Sequence, residues 1–161
     1  MNTVKVGGRS FLIDIEKTRE YYRSHSLCNC ADCRNYYAQI KAQMPELDAF
    51  LESFGVDIER PDECISIETD SAINYINVDY TVCGRTDGFD EAEIKIPSKP
   101  LPAIVASNGF CSPNEQTGTY FTLSIMDISL PWVLDEPFDE QTPPEKKASF
   151  FKGYKAKRRK V

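Results

Sequence analysis

The sequence predicts an α+β fold, with a helical N-terminal half packed on a mainly antiparallel sheet of about four to six strands. Three observations lead there. Leu47, Phe50, Leu51 and Phe54 recur at i, i+3, i+4 and i+7, the stripe of a helix buried along one side. Beyond Pro61 the apolar period shortens to two, most clearly in Asn74-Tyr75-Ile76-Asn77-Val78-Asp79-Tyr80-Thr81-Val82-Cys83. Helical patterns come first and strand patterns afterwards, which argues against alternating βαβ units.

Val4 to Ile13 reads as two short strands around Gly7-Gly8, since glycine supplies the positive φ angles of a tight hairpin. Asp14 is placed to cap a helix from Ile15 to about Arg23 by accepting a bond from an otherwise unpaired amide. A run of cysteines interrupts the helical character, which resumes near Cys33 and continues to Ala42. Pro45 suits the first turn of a further helix, because it has no amide hydrogen to leave unpaired, and Gly55 suits its C-terminal end. The helical part therefore spans about 14–55.

The sheet part is expected over about 64–134. Cys64 to Glu68 and Asn74 to Cys83 form a hairpin through Asp70-Ser71, with Ile76, Val78, Tyr80 and Val82 sharing one side. Further strands fall at Ala92–Ile96, Ala103–Ala106 and Tyr120–Asp127, the last extended past a bulge by Ile128 to Trp132. The connections 97–102 and 107–119 are rich in Pro, Ser, Asn and Gly. Trp132 is expected to close the sheet rather than stand in solvent.

Residues 1–142 read as a single domain, and 143–161, following Thr142, as a basic and flexible tail. The net charge of −6 conceals an asymmetry. Residues 146–161 hold eight Lys or Arg and no acid, so residues 1–145 hold 11 bases against 25 acids. An acidic body repels nucleic acid and anionic lipid and suits a basic protein partner; nucleic acid is left to the tail. No apolar run has the length of a transmembrane segment, and Met1-Asn2-Thr3-Val4-Lys5 lacks the pattern of a signal peptide. The expected compartment is cytoplasmic, where thiols stay reduced and a disulfide framework is disfavoured.

The chemical signal is concentrated in His25-Ser26-Leu27-Cys28-Asn29-Cys30-Ala31-Asp32-Cys33, which holds the only histidine and three of six cysteines. Thiolate and imidazole are ligands that zinc favours, and Cys30-x2-Cys33 and His25-x2-Cys28 each have a knuckle spacing. A single residue separates the two pairs, however, so four ligands from one tight coil are awkward. A workable zinc site combines part of Cys28, Cys30, Cys33 and His25 with a distant cysteine: Cys64, Cys83 or Cys111. The Cys28-x-Cys30 gap is too close for an iron–sulfur pattern. A redox pair at Cys30 and Cys33 lacks the preceding strand of a thioredoxin-like unit.

The competing interpretation is packing. Reduced cysteine behaves as a small hydrophobe, Asn29 or Asp32 is placed to cap the next helix, and His25 suits a helix end or the surface. No phosphate-binding glycine loop, H-E-x-x-H or G-x-S-x-G is present. The sequence thus points to a small acidic binding or regulatory protein, monomeric or dimeric, with zinc as its one candidate cofactor. A metal- or thiol-dependent enzyme centred on Cys28, Cys30 and Cys33 is the alternative, and nucleic-acid binding through the tail a second one.

Overall fold

The computed structural model describes residues 1–109 and 118–138. The chain opens with a hairpin, β1 (Asn2–Val6) and β2 (Arg9–Ile13), turned at Gly7 and Gly8, which both have positive φ. Four helices follow: α1 (Ile15–Ser24), α2 (Ala31–Tyr37), α3 (Ile40–Gln43) and α4 (Pro45–Glu52). The remaining strands are β3 (Glu63–Glu68), β4 (Ala72–Thr86), β5 (Glu91–Glu93), β6 (Ile104–Asn108) and β7 (Tyr120–Pro131). The seven strands form one sheet in the order β1-β2-β4-β7-β6-β5, with β3 also on β4, and every pairing is antiparallel.

The α+β class stands, with two corrections. The sheet has seven strands rather than four to six, and the N-terminal half is not simply helical, because strands come first. The physical reason is the length of β4. Fifteen residues allow one edge to take β3 along residues 73–79 and β2 along 84–86, so the opening hairpin joins the later sheet. The helices are therefore a layer inserted between strands of one sheet. That sheet curls: a Cβ on Gly7 would fall 2.8 Å from the Lys95 carbonyl oxygen, so the β1–β2 turn reaches the chain just after β5.

Local chemistry explains most elements. Asp14 caps α1, its Oδ1 accepting the Lys17 amide at 3.1 Å. Pro45 opens α4, whose Leu47, Phe50 and Leu51, with Phe54 beyond its end, are all buried against the sheet. The alternation of β4 differs from the expected one. Its buried residues run Ile73, Tyr75, then Val78, Tyr80, Val82, and those of β7 run Phe121, Leu123, Ile125, then Ile128, Leu130. Both strands change phase together at Ile76 and Asp127, and Asp127 takes a φ of 56°. Tyr75, not Ile76, therefore points inward, where Asn35 and the backbone of α2 meet its hydroxyl.

Buried hydroxyls order the interface between helices and sheet. Tyr36 Oη lies 2.7 Å from Tyr80 Oη, which donates to the Ile58 carbonyl at 2.7 Å. Trp132 is half-buried: it packs on Phe138 at 5.2 Å and donates to the Glu136 carbonyl at 2.9 Å. No helix among the described residues is long and apolar enough to cross a membrane. The tail, Cys111 and most of the 107–119 connection lie outside the described residues.

Candidate metal centre

The cysteine run forms the approach to α2 and its first turn. Cys30 is the N-cap residue, with φ −69° and ψ 159°, and it makes no side-chain capping bond. Asp32, one of the two residues expected to cap, instead sits in the first turn and accepts the Ser66 hydroxyl of β3 at 2.6 Å. A seven-residue helix is too short to be stable alone, so its place depends on tertiary contacts. The Asp32 carbonyl accepts Tyr75 Oη at 2.6 Å. Asn35 is wholly buried and donates to Tyr75 Oη at 3.3 Å and to the Pro131 carbonyl at 3.1 Å. Its Oδ1 accepts the Val133 amide at 2.9 Å.

The cysteine-bearing coil is held from the same helix. Arg34 donates through Nε to the Asn29 carbonyl at 3.1 Å and grips both carboxylate oxygens of Glu136. Tyr37 Oη donates to the Cys28 carbonyl at 3.2 Å. With its backbone so fastened, the coil turns three sulfurs inward on one another. Cys28, Cys30 and Cys33 Sγ all lie within 4.8 Å of each other, close enough to hold a metal ion. The Cys30 amide donates to Cys28 Sγ at 3.5 Å, a bond that supports negative charge on that sulfur. Cys28 and Cys30 are exposed, Cys33 is buried, and no described cysteine is in a disulfide.

A fourth sulfur approaches from the sheet. Cys64 lies 31 residues beyond Cys33 and opposite Val78, on the side of β3 that faces the helices. It is not within 4.8 Å of all three cluster sulfurs. The hydrogen bond from Cys64 is the largest cause pushing the Cys33 thiol up, followed by burial. Burial pushes the Cys30 thiol up to about 12, and the Tyr37 phenol is raised by burial and then by Cys33 and Cys64. Crowded thiols of this kind retain their protons until a cation displaces them. A catalytic nucleophile needs the opposite, a thiolate favoured at neutral pH.

The other expected ligands lie elsewhere. His25 ends α1, stacks on Tyr21 at 5.2 Å, and places Nε2 3.2 Å from the Pro61 carbonyl and 3.5 Å from Asp62 Oδ1. Cys83 is buried near Asp14 and takes an amide bond to Thr18 Oγ1 at 3.0 Å. It is five residues along β4 from Val78, about 16 Å at strand rise. Sequence reasoning missed the buried Asp62, which accepts the Tyr21 hydroxyl and faces His25. Nothing in Pro61-Asp62-Glu63 distinguishes it from an ordinary surface acid.

Geometry fits zinc chemistry. Tetrahedral zinc with thiolates at about 2.3 Å spaces its sulfurs roughly 3.8 Å apart, within the observed cluster. The knuckle offers three candidate ligands, and Cys64 on β3 offers a fourth from a different element, without the crowding of an all-local site. When protein-family models, curated proteins and solved structures are compared with this chain, none of them matches it.

Proposed function

We propose that this protein is a non-catalytic binding or regulatory protein whose helical layer is fastened to the sheet by a structural zinc ion. Cys28, Cys30, Cys33 and Cys64 are its ligands, and the acidic body engages a basic protein partner. One observation carries the metal: three sulfurs within 4.8 Å on a coil whose carbonyls are held by Arg34 and Tyr37, with Cys64 on the side of β3 that faces the helices. Four thiolates close the coordination sphere, as structural zinc sites do, and leave no open position for substrate. The partner's sign follows from 25 acids against 11 bases in residues 1–145.

The test is elemental analysis of the full chain purified without chelator. One zinc per chain, lost on Cys30→Ser/Cys33→Ser substitution, is expected. Metal-free protein that takes up no zinc, and whose stability zinc leaves unchanged, would sink the assignment.

A further inference from the structure

Helix α1 carries Arg19 and Arg23 four residues apart, one turn along the same side. They line a cleft of about 460 Å³ whose other walls are α3, α4 and the stretch beyond α4. Lys41 and Arg60 join them there. Four of the 11 bases in residues 1–145 thus line one cleft, in a body that holds 25 acids. Packing fixes the walls. A Cβ on Gly55, whose φ is 81°, would fall 2.8 Å from the Ile15 carbonyl oxygen, so the chain leaving α4 is seated directly on the start of α1. Tyr22, buried at the cleft wall, donates to the Thr81 carbonyl at 2.8 Å and anchors α1 to the sheet.

The charges of the cleft divide into those already engaged and those left over. Arg19 bonds Glu16 at 3.0 Å, Lys41 meets Asp48 at 3.7 Å, and Asp57 Oδ1 accepts the Glu59 amide at 3.0 Å. Arg23, Arg60 and Glu52 form no ion pair among the described residues. Arg60 is held in place by donating from Nη2 to the His25 carbonyl. Its Nε is buried without a hydrogen-bond partner, and a buried donor left over in this way calls for an acceptor.

We propose that this cleft binds a small phosphate monoester that also carries hydroxyls, a ligand beyond the metal and the protein partner proposed above. The charges of Arg23 and Arg60 match a phosphate dianion, and each planar guanidinium offers paired donors to its oxygens. Glu52, on the α4 wall, accepts a hydroxyl of the same ligand, and the volume is that of a small-molecule pocket. None of the described cysteines lines the cleft, so binding is independent of zinc.

The experiment is isothermal titration calorimetry of the full chain with inorganic phosphate, glucose 6-phosphate, glucose and gluconate. One glucose 6-phosphate per chain is expected, held more tightly than inorganic phosphate or gluconate, with no binding of glucose. Arg23→Gln, an exposed change in the last turn of α1, should weaken both phosphates about tenfold. Glu52→Gln should weaken glucose 6-phosphate relative to inorganic phosphate. Lys17→Gln, on the same helix but outside the cleft, should change neither.

A parent protein that binds neither phosphate overturns the proposal. So does binding that Arg23→Gln leaves unchanged, or that Lys17→Gln lowers as much, since the attraction is then diffuse. Gluconate held as tightly as glucose 6-phosphate reassigns the cleft to carboxylates, and glucose 6-phosphate held no more tightly than inorganic phosphate removes the hydroxyl contact; either overturns the ligand class. Phosphate binding lost on removal of residues 143–161 assigns the anion to the basic segment and overturns the cleft.

Discussion

Replacing Cys64 by serine separates a metal centre from a sulfur-rich corner more sharply than any change within the coil. Cys28, Cys30 and Cys33 lie within six residues, so an ion held by them alone cross-links almost no chain. Adding Cys64 closes a loop of 31 residues between Cys33 and β3. The chain-entropy relation used for disulfides assigns such a closure about 3.7 kcal/mol through the unfolded state. In a protein of this length that corresponds to roughly 7–15 °C in Tm. Calorimetry of the zinc-loaded protein, before and after removal of the ion by a strong chelator, should show a fall of that order. Cys64→Ser should start near the lower value, hold zinc more weakly and respond little to chelator, whereas Cys83→Ser should keep the full chelator effect. Parent-like zinc retention and chelator response in Cys64→Ser would refute the reasoning, because the ion would then not bridge helix and sheet.

Three further outcomes follow from the packing. Asn35→Ala removes two donated bonds and the acceptor for the Val133 amide, a loss of about 3 kcal/mol at the usual net value per bond, to be read by urea unfolding; a loss below about 1 kcal/mol would mean that this network does not clamp α2. Gly84→Ala should cost roughly 3 kcal/mol or more, since its Cβ would fall 2.1 Å from the Leu12 carbonyl oxygen at a φ of 147°; near-parent stability would show that β2 can move away from β4. Tyr36 and Tyr80 are both raised chiefly by burial, so the folded state keeps protons that the unfolded state sheds first. Their contribution is complete below the ordinary phenol value of 10.0 and declines as the pH rises above it, by up to about 1.4 kcal/mol per pH unit for each tyrosine. Stability flat from pH 9 to 11.5 would contradict their burial.

What the sequence made legible is the physics that acts within a few residues. The α4 stripe, the Gly7-Gly8 turn and the Asp14 cap each depend on neighbours one to seven positions away, and each is found where expected. The phase of β4 was not legible, because Tyr75 and Ile76 are equally plausible inward residues. The choice is made by the matched irregularity at Asp127 and by a hydrogen bond from Tyr75 to α2. Asn35 reads as an ordinary helix residue and is wholly buried, since the carbonyl and amide that satisfy it come from residues 131 and 133. Asp32 does not cap because the helix begins at Ala31 with Cys30 at its N-cap; its carboxylate accepts Ser66 from across the fold instead.

The cysteine run shows the same division between local and distant causes. Spacing alone identifies a knuckle and forbids a comfortable four-ligand coil, but the partner depends on strand phase. β3 alternates regularly, with Cys64 opposite Val78 and Ser66 opposite Tyr75, both inward residues, and Ile65 and Ile67 on the other side. The register shift between Ile65 and Ser66 takes up the extra residue of β4, Ile76, and so keeps the inward residues of the two strands facing each other on both sides of it. Such an arrangement has a mechanical consequence. An ion held by the coil and by Cys64 would tie α2 to the strand that pairs with β4 along residues 73–79, and so join the helical layer to the longest strand of the sheet.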